Sequence, residues 1–245
     1  METSPSAPGS RPRFAVITPS MDGRAEYLAE ARGSVRATVC APLGFDVEHR
    51  VHVQQQRLSP GAARNALIRE SDPDAWIVPL DDDDLLLQRT LHHYAELILQ
   101  HHARRWFVAD FVRVDEERRY LPGQDYAAWT FPTPVRMLIA IFRAEHFLQG
   151  NVCFHRSLFE QVGGYDESLW MAEDLDLYVR FLLAGHLPVR GAHLSHLHRV
   201  HPGNSSRGVD VGRHHADLEQ LYQRYAPRLL ALGVPPPAPP AVPGR

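Results

Sequence analysis

Four consecutive aspartates, Asp81 to Asp84, follow the apolar run Ala75-Trp76-Ile77-Val78-Pro79-Leu80. Four adjacent carboxylates repel one another, and a bound cation relieves the repulsion. Such hard oxygen ligands suit Mg²⁺ or Mn²⁺, often shared with a phosphate. The other reading is a solvated acidic turn that caps the next helix, since Asp is a good N-cap. Three further clusters could carry chemistry. Gly61-Ala62-Ala63-Arg64-Asn65 offers small residues, free N–H groups and a guanidinium at a helix start. These are the parts of a phosphate site, and equally of a well-capped surface helix. Glu173-Asp174 follows Gly163-Gly164-Tyr165-Asp166 and Met171-Ala172. An acidic pair at a helix start either complements the dipole or supplies a general base. His196-Leu197-His198-Arg199-Val200-His201 places His196 and His198 on one face of a strand. That is a polar edge or a source of metal ligands.

The elements that must position these residues follow from apolar periodicity. Phe14 to Thr18 predicts a first buried strand, ending at Pro19-Ser20. Arg24 to Arg36 has helical spacing. Alternation of Val47, His49, Val51 and Val53 predicts a second strand over residues 46–54. Ser59 and Pro60 open a helix through Glu70, with Ser at the N-cap. Residues 75–80 are the third strand, and a helix is expected from Asp84 to His101. This β-α-β-α-β-α order argues for a mostly parallel sheet with helices on both faces. Residues 106–114 read as a further strand and 120–133 as irregular. An apolar helix is expected from Pro134 to Leu148, either buried or serving as a lid or homodimer face. Helices are expected at 157–162 and 173–184, a strand at 189–199, and a helix at 217–232 that Pro227 kinks or shortens.

Composition bounds the rest. The chain has 245 residues, 44% hydrophobic and 22% charged, enough for one sizeable domain. A net charge of −3 carries no nucleic-acid footprint. All 26 basic residues are arginine. A P-loop or a pyridoxal phosphate Schiff base needs lysine, so both are excluded. Cys40 and Cys153 lie far apart and imply no disulfide framework. Residues 1–13 are polar and Pro-rich without the apolar core of a signal peptide, and no apolar run suffices to span a bilayer. A cytoplasmic protein is expected. The organisation expected is a disordered segment at 1–12, one domain at 13–208, a packed C-terminal helix at 209–232 and a disordered Pro-rich tail at 233–245.

In their order and spacing, the clusters resemble the inverting glycosyltransferases of family 2, which have the GT-A (nucleotide-diphospho-sugar transferase) fold. The matching pieces are Val16-Ile17-Thr18-Pro19-Ser20, Gly61 to Asn65 and Leu80 to Asp84. They continue with Asn151 to Arg156, Gly163 to Asp166, Glu173-Asp174 and Arg199 through Ser206. The resemblance implies that Thr18, Pro19 and Ser20 line the nucleotide pocket and that Arg64 approaches the nucleotide or its diphosphate. Asp81, Asp82 and Asp83 look like the Asp-x-Asp motif, which binds donor ribose and a divalent metal, Mn²⁺ or Mg²⁺. Asp83 and His201 are the implied metal ligands. Asp174 looks like the catalytic base, with Asn151 and Glu173 on the acceptor side. The implied partners are a nucleoside-diphosphate sugar and a small-molecule or glycan acceptor.

One departure from the family pattern concerns the donor base. Many members carry acids at the end of the second strand, where this chain has Val53-Gln54-Gln55-Gln56-Arg57. Other chemistries fit less well. A phosphatase with an aspartyl nucleophile carries its acids after the first strand. A nucleotidyltransferase wants a Gly-rich basic loop there, and Met21-Asp22-Gly23-Arg24 offers one Gly and one Arg. A non-catalytic nucleotide-sugar-binding module needs no base at Asp174.

Overall fold

In the computed structural model, which describes residues 11–123, 127–204 and 211–238, the first apolar run forms strand β1 (Arg13–Met21). Phe14 and Val16 point into one core, Ala15 and Ile17 into another. Burial on both faces explains why the run has no polar alternation. Strands β2 (Asp46–Gln54) and β3 (Trp76–Pro79) flank β1, both parallel to it. The crossovers contain helices α1 (Ala25–Arg36) and α2 (Pro60–Glu70). Ser59 caps α2, its hydroxyl accepting from the Ala62 N–H at 3.2 Å.

The chain continues with β4 (Leu85–Leu86), α3 (Thr90–Gln100), β5 (Trp106–Val114), α4 (Pro134–Phe142), β6 (Val152–His155) and α5 (Arg156–Gln161). Helix α6 (Glu173–Leu183), β7 (Val189–Arg199) and α7 (Val211–Ala231) complete it. The sheet order is β2-β1-β3-β6-β5-β7-β4. The long β1–β2 and β5–β7 ladders are parallel, while the short β3–β6, β5–β6 and β4–β7 pairings are antiparallel. Helices α1 and α3 cover one face; α2, α4, α5, α6 and α7 cover the other. This is the expected α/β architecture, with a sheet more mixed than a simple βα repeat gives.

Several boundaries differ from expectation. Asp84 does not start a helix: Leu85 and Leu86 pair with Leu197 and His196 first, and α3 begins at Thr90. Tertiary pairing with β7 overrides the helical pattern there. Strand β6, wholly buried and four residues long, carries no alternation to announce it. Helix α4 stops at Phe142, because Ala144 turns left-handed (φ 59°) and Glu145 N–H returns to the Ala140 carbonyl at 2.8 Å. Its Met137, Leu138 and Ile141 are fully buried, as the core reading of this helix expects. Helix α7 starts earlier and contains Pro227 without ending there. Val234, assigned from sequence to the free tail, is buried, and its carbonyl accepts from the Tyr222 hydroxyl at 2.8 Å. Residues 1–10, 205–210 and 239–245 lie outside the described residues, including Ser205 and Ser206 and most of both expected disordered ends. Among the described residues, no helix is long and apolar enough to cross a membrane.

Gly61 ties α2 to the segment that leads into α6. A Cβ there would lie 2.8 Å from the Asp166 carbonyl oxygen and 3.2 Å from Tyr165 Cβ. Gly61→Ala is therefore expected to lower stability by about 1–3 kcal/mol, the usual cost of overpacking. Urea unfolding measures it; an unchanged midpoint would mean that the 165–166 segment shifts without cost.

Candidate active site

Leu80 leaves the sheet with its N–H on the Ile17 carbonyl at 3.0 Å, and Asp84 N–H closes a turn onto the Asp81 carbonyl at 3.2 Å. This turn splays the four carboxylates. Asp81 points outward and stays half-exposed, 2.7 Å from an Arg64 nitrogen. Asp82 accepts from the Ser20 hydroxyl at 2.6 Å and pairs with Arg24 at 2.8 Å. Asp83 meets Arg24 at 2.6 Å and His201 Nε2 at 2.9 Å. Asp84 faces β7, accepting the Arg199 N–H at 2.9 Å with His198 Nδ1 at 3.2 Å. Burial raises the pKa of Asp82 against the pull of Ser20 and Arg24. Burial likewise lifts Asp84 to about 6. The part of Asp81 turned into the protein is desolvated, but the Arg64 guanidinium overrides this and holds that carboxyl low.

Arg64 spans two elements. One terminal nitrogen reaches Asp81 and the other Glu173, at the start of α6. The chain enters α6 through Ala172, whose φ is 57° and which supplies no side-chain cap. A left-handed non-Gly residue costs about 1–2 kcal/mol. Such a cost persists only where the surroundings impose it, often beside a site. The next two carboxylates part company. Glu173 is buried against Arg64, while Asp174 makes no ion pair among the described residues and caps its own neighbour, accepting the Leu175 N–H at 2.7 Å. Burial and the adjacent Glu173 charge push the Asp174 carboxyl up to about 7, against Arg64.

A cavity of about 670 Å³ opens between these elements, lined by Arg64, Asp81, Asp84, Asp174, His196 and His198 among others. Its volume falls in the range of small-molecule sites. His146 adds a wall. Burial holds it neutral, with a pKa of about 4, and neither ring nitrogen has a hydrogen-bond partner among the described residues.

The structure sorts the residues singled out in the sequence. Arg64, Asp81 and Asp174 converge on the cavity. Ser20 acts one step back, spending its hydroxyl on Asp82, and Pro19 is half-buried. Thr18 lines no surface: it is fully buried, with its hydroxyl 2.9 Å from His49 Nε2. Asn151 is not an acceptor ligand in this geometry. It is fully buried, donating to the Ala109 carbonyl at 2.5 Å and accepting the Gln149 N–H at 2.9 Å. It shapes the entry to β6. Glu173 faces Arg64 rather than the cavity. Arg24, which pairs with Asp82 and Asp83, is read in the sequence only as the single Arg of a loop too poor for a nucleotidyltransferase; its signal as a site residue is a lone Arg just after β1 in a lysine-free chain.

Carboxylate oxygens of Asp81, Asp83 and Asp84 lie within 4.8 Å of one another, a donor set that fits a hard divalent cation. His201 fits less directly. The Gly203 N–H donates to its Nδ1 at 3.1 Å, so Nε2 carries the proton and donates to Asp83. In this arrangement His201 orients Asp83 and offers no lone pair.

The sequence model of a family described as "Glycosyl transferase family 2" matches residues 24–163. No curated protein matches the chain. Solved structures do. S. aureus TarS 1–349 in complex with UDP-GlcNAc has a TM-score of 0.67 at 16% identity, over 89% of this chain and 66% of that one. The same TarS piece in complex with UDP gives 0.60 at 16%, over 89% and 72%. S. aureus TarS gives 0.58 at 16%, over 88% and 43%, so this chain spans less than half of it. At this identity the likeness establishes the fold, GT-A.

The position of Asp174 makes stability depend on pH. An ordinary carboxyl titrates near 4 in the unfolded chain, and this one near 7 in the fold. The folded state therefore holds its proton longer. Stability falls as pH rises from about 4 to about 7, then levels off. Asp174→Asn removes that loss. The variant is expected to melt above the parent at pH 8, with the gain gone near pH 4. Parallel melting curves across that range would show that Asp174 titrates normally.

Proposed function

The chain belongs to glycosyl transferase family 2, and we propose that it moves a sugar from a nucleoside-diphosphate sugar to an acceptor hydroxyl by single displacement with inversion. One observation carries the mechanism: of two adjacent acids opening α6, Asp174 alone faces the cavity, with no ion-pair partner among the described residues. A carboxylate poised near neutrality matches the work of a general base. Asp174 takes the proton of the acceptor hydroxyl. The freed oxygen attacks the anomeric carbon from the face opposite the diphosphate. The bond from that carbon to the leaving phosphate oxygen breaks, and the nucleoside diphosphate departs.

With no lysine in the chain, Arg64 in the cavity wall and Arg24 beside the acidic turn are cations placed to meet the departing charge. A divalent cation, Mn²⁺ or Mg²⁺, held by Asp81 and Asp83, would supply the remaining charge neutralisation when bound. Ser20 keeps Asp82 turned to Arg24, and His201 keeps Asp83 in place. Gln55 and Gln56 stand exposed past the end of β2, and their amides would offer hydrogen bonds to a nucleotide base. Two of the structural neighbours hold UDP or UDP-GlcNAc, which makes uridine donors the first to test. His146, with unused ring nitrogens in the cavity wall, suits an acceptor hydroxyl.

Two measurements test this reading. Asp174→Asn should lose about 10²–10⁴-fold in kcat while its donor Kd, measured by calorimetry, stays near the parent value. Near-normal turnover would remove Asp174 as base, and a parent protein with donor affinity but no turnover on any acceptor would favour a binding module. Separately, UDP-sugar affinity should rise on adding Mn²⁺ to protein stripped with EDTA. Equal affinity in the two conditions would refute the cation's role.

A further inference from the structure

On the wall of the cavity, β7 and the acidic turn bring together a group outside the proposed donor chemistry. His196 and His198 share one face of β7, and both turn a ring nitrogen to a single oxygen, Asp84 Oδ2. His198 Nδ1 stands 3.2 Å from it and His196 Nε2 3.8 Å. Ligand atoms bound to one metal at about 2.0–2.2 Å sit at similar mutual separations.

The tautomer of His196 is fixed from behind. The Ser195 hydroxyl donates its proton to the Asp110 carbonyl at 3.0 Å. It can then only accept from His196, and His196 Nδ1 lies 2.9 Å away. Nδ1 therefore carries the proton, and Nε2 presents a bare lone pair to a carboxylate. The ring is 5% exposed and stacked on Phe111, with centroids 5.1 Å apart and planes at 12°, so it does not turn away freely. A buried lone pair facing an acceptor oxygen is a repulsive contact that a cation between them would satisfy. A ligating imidazole that donates its other N–H to a fixed oxygen is the usual outer-shell arrangement of metal sites. His201 has the opposite tautomer.

We propose that His196 Nε2, His198 Nδ1 and Asp84 Oδ2 form a second divalent-metal site, selective for a nitrogen-preferring ion such as Zn²⁺ or Co²⁺. To ligate, His198 moves its proton to Nε2. All three side chains line the cavity, so the ion keeps positions open toward it. Three protein ligands with an open position is the pattern of a reactive site, not a closed structural one. An acceptor carrying a hydroxyl, carboxylate or phosphate would complete the coordination. Ligand atoms of Asp84, Asp81 and Asp83 lie within 4.8 Å of one another, so this site adjoins the one proposed for the donor cation. The proposal stands without the transferase reading.

Co²⁺ titration of the EDTA-stripped full chain, followed by visible d–d absorption and reversed with Zn²⁺, tests it. The parent should bind Co²⁺ with nitrogen-ligand bands. His196→Phe keeps the stack on Phe111, and His198→Gln keeps polarity. Each should weaken Co²⁺ by at least about 100-fold, taking the upper end of what loss of an outer-shell partner alone costs. Asp83→Asn should leave the bands in place. Circular dichroism confirms that each variant is folded; should His196→Phe fail to fold, His198→Gln carries the same test. Three results would overturn the proposal: no Co²⁺ or Zn²⁺ bound by the folded parent, bands unchanged in the folded His variants, or bands lost in Asp83→Asn but kept in His196→Phe. The first leaves the trio as a hydrogen-bonded clasp between β4 and β7. The third assigns the ion to the acidic turn.

Discussion

Carboxylates crowded at one sheet edge need positive charge against them, or some must stay protonated. Among the described residues, that charge comes from Arg24 and Arg64, with His198 beside Asp84. Arg64 does most to set the geometry. Its forked head reaches Asp81 after β3 and Glu173 at the start of α6, elements far apart in sequence. Buried ion clusters contribute little net stability once desolvation is counted. They do fix position, and a planar fork fixes two partners where an ammonium would act as a point charge. By holding Glu173, Arg64 leaves Asp174 unpaired in the cavity wall. The same charge limits how far the Asp174 pKa climbs. One residue thus sets both the place and the proton affinity of the proposed base.

Arg24 performs the matching task on the other side of the turn, against Asp82 and Asp83. Its position follows from the short link between β1 and α1, which returns the chain across the sheet edge. The two arginines thus take different carboxylates of the tetrad. Asp84, with no arginine side chain against it among the described residues, is served by β7 instead. Its backbone contact to Arg199 and its imidazole contacts depend on the two-residue strand β4 lying against β7. A strand that short is held by what surrounds it, here the Asp84 carboxylate and the Thr90 hydroxyl on the Ser195 carbonyl at 2.5 Å.

Much of this was legible in the sequence. Strands β2, β5 and β7 have the bounds that apolar pattern assigned, and Ser59 caps α2 as its type and place required. These are long or capped elements, where local preference and tertiary need agree. What failed was short or decided by distant partners. Strand β6 is too brief to show a period, and β4 exists only because β7 lies beside it. At the site, residue type and order pointed to Arg64, the tetrad and the Glu173-Asp174 pair, which the fold brings near one another. They could not say which acid of that pair is free, because that depends on a guanidinium about one hundred residues earlier. Nor could they tell a surface ligand from a buried brace. Asn151 and Thr18 sit within motif-like stretches, yet both spend their polar atoms inside the protein.

The imidazoles carry the same lesson one level down. His201 and His196 each face an aspartate of the turn through Nε2. What stands behind the ring separates them. Behind His201 is a backbone N–H, which can only donate, so the ring must accept at Nδ1 and donate at Nε2. Behind His196 is a serine hydroxyl whose proton is already committed to a carbonyl, so the ring donates at Nδ1 and keeps a lone pair at Nε2. The first pairing is a hydrogen bond that orients Asp83. The second sets a lone pair against a carboxylate and is complete only with a proton or a cation between them. Two Asp–His pairs built from the same residue types, on one strand and its continuation, therefore differ in kind. The difference lies in Gly203 and Ser195, residues with no chemistry of their own at the site.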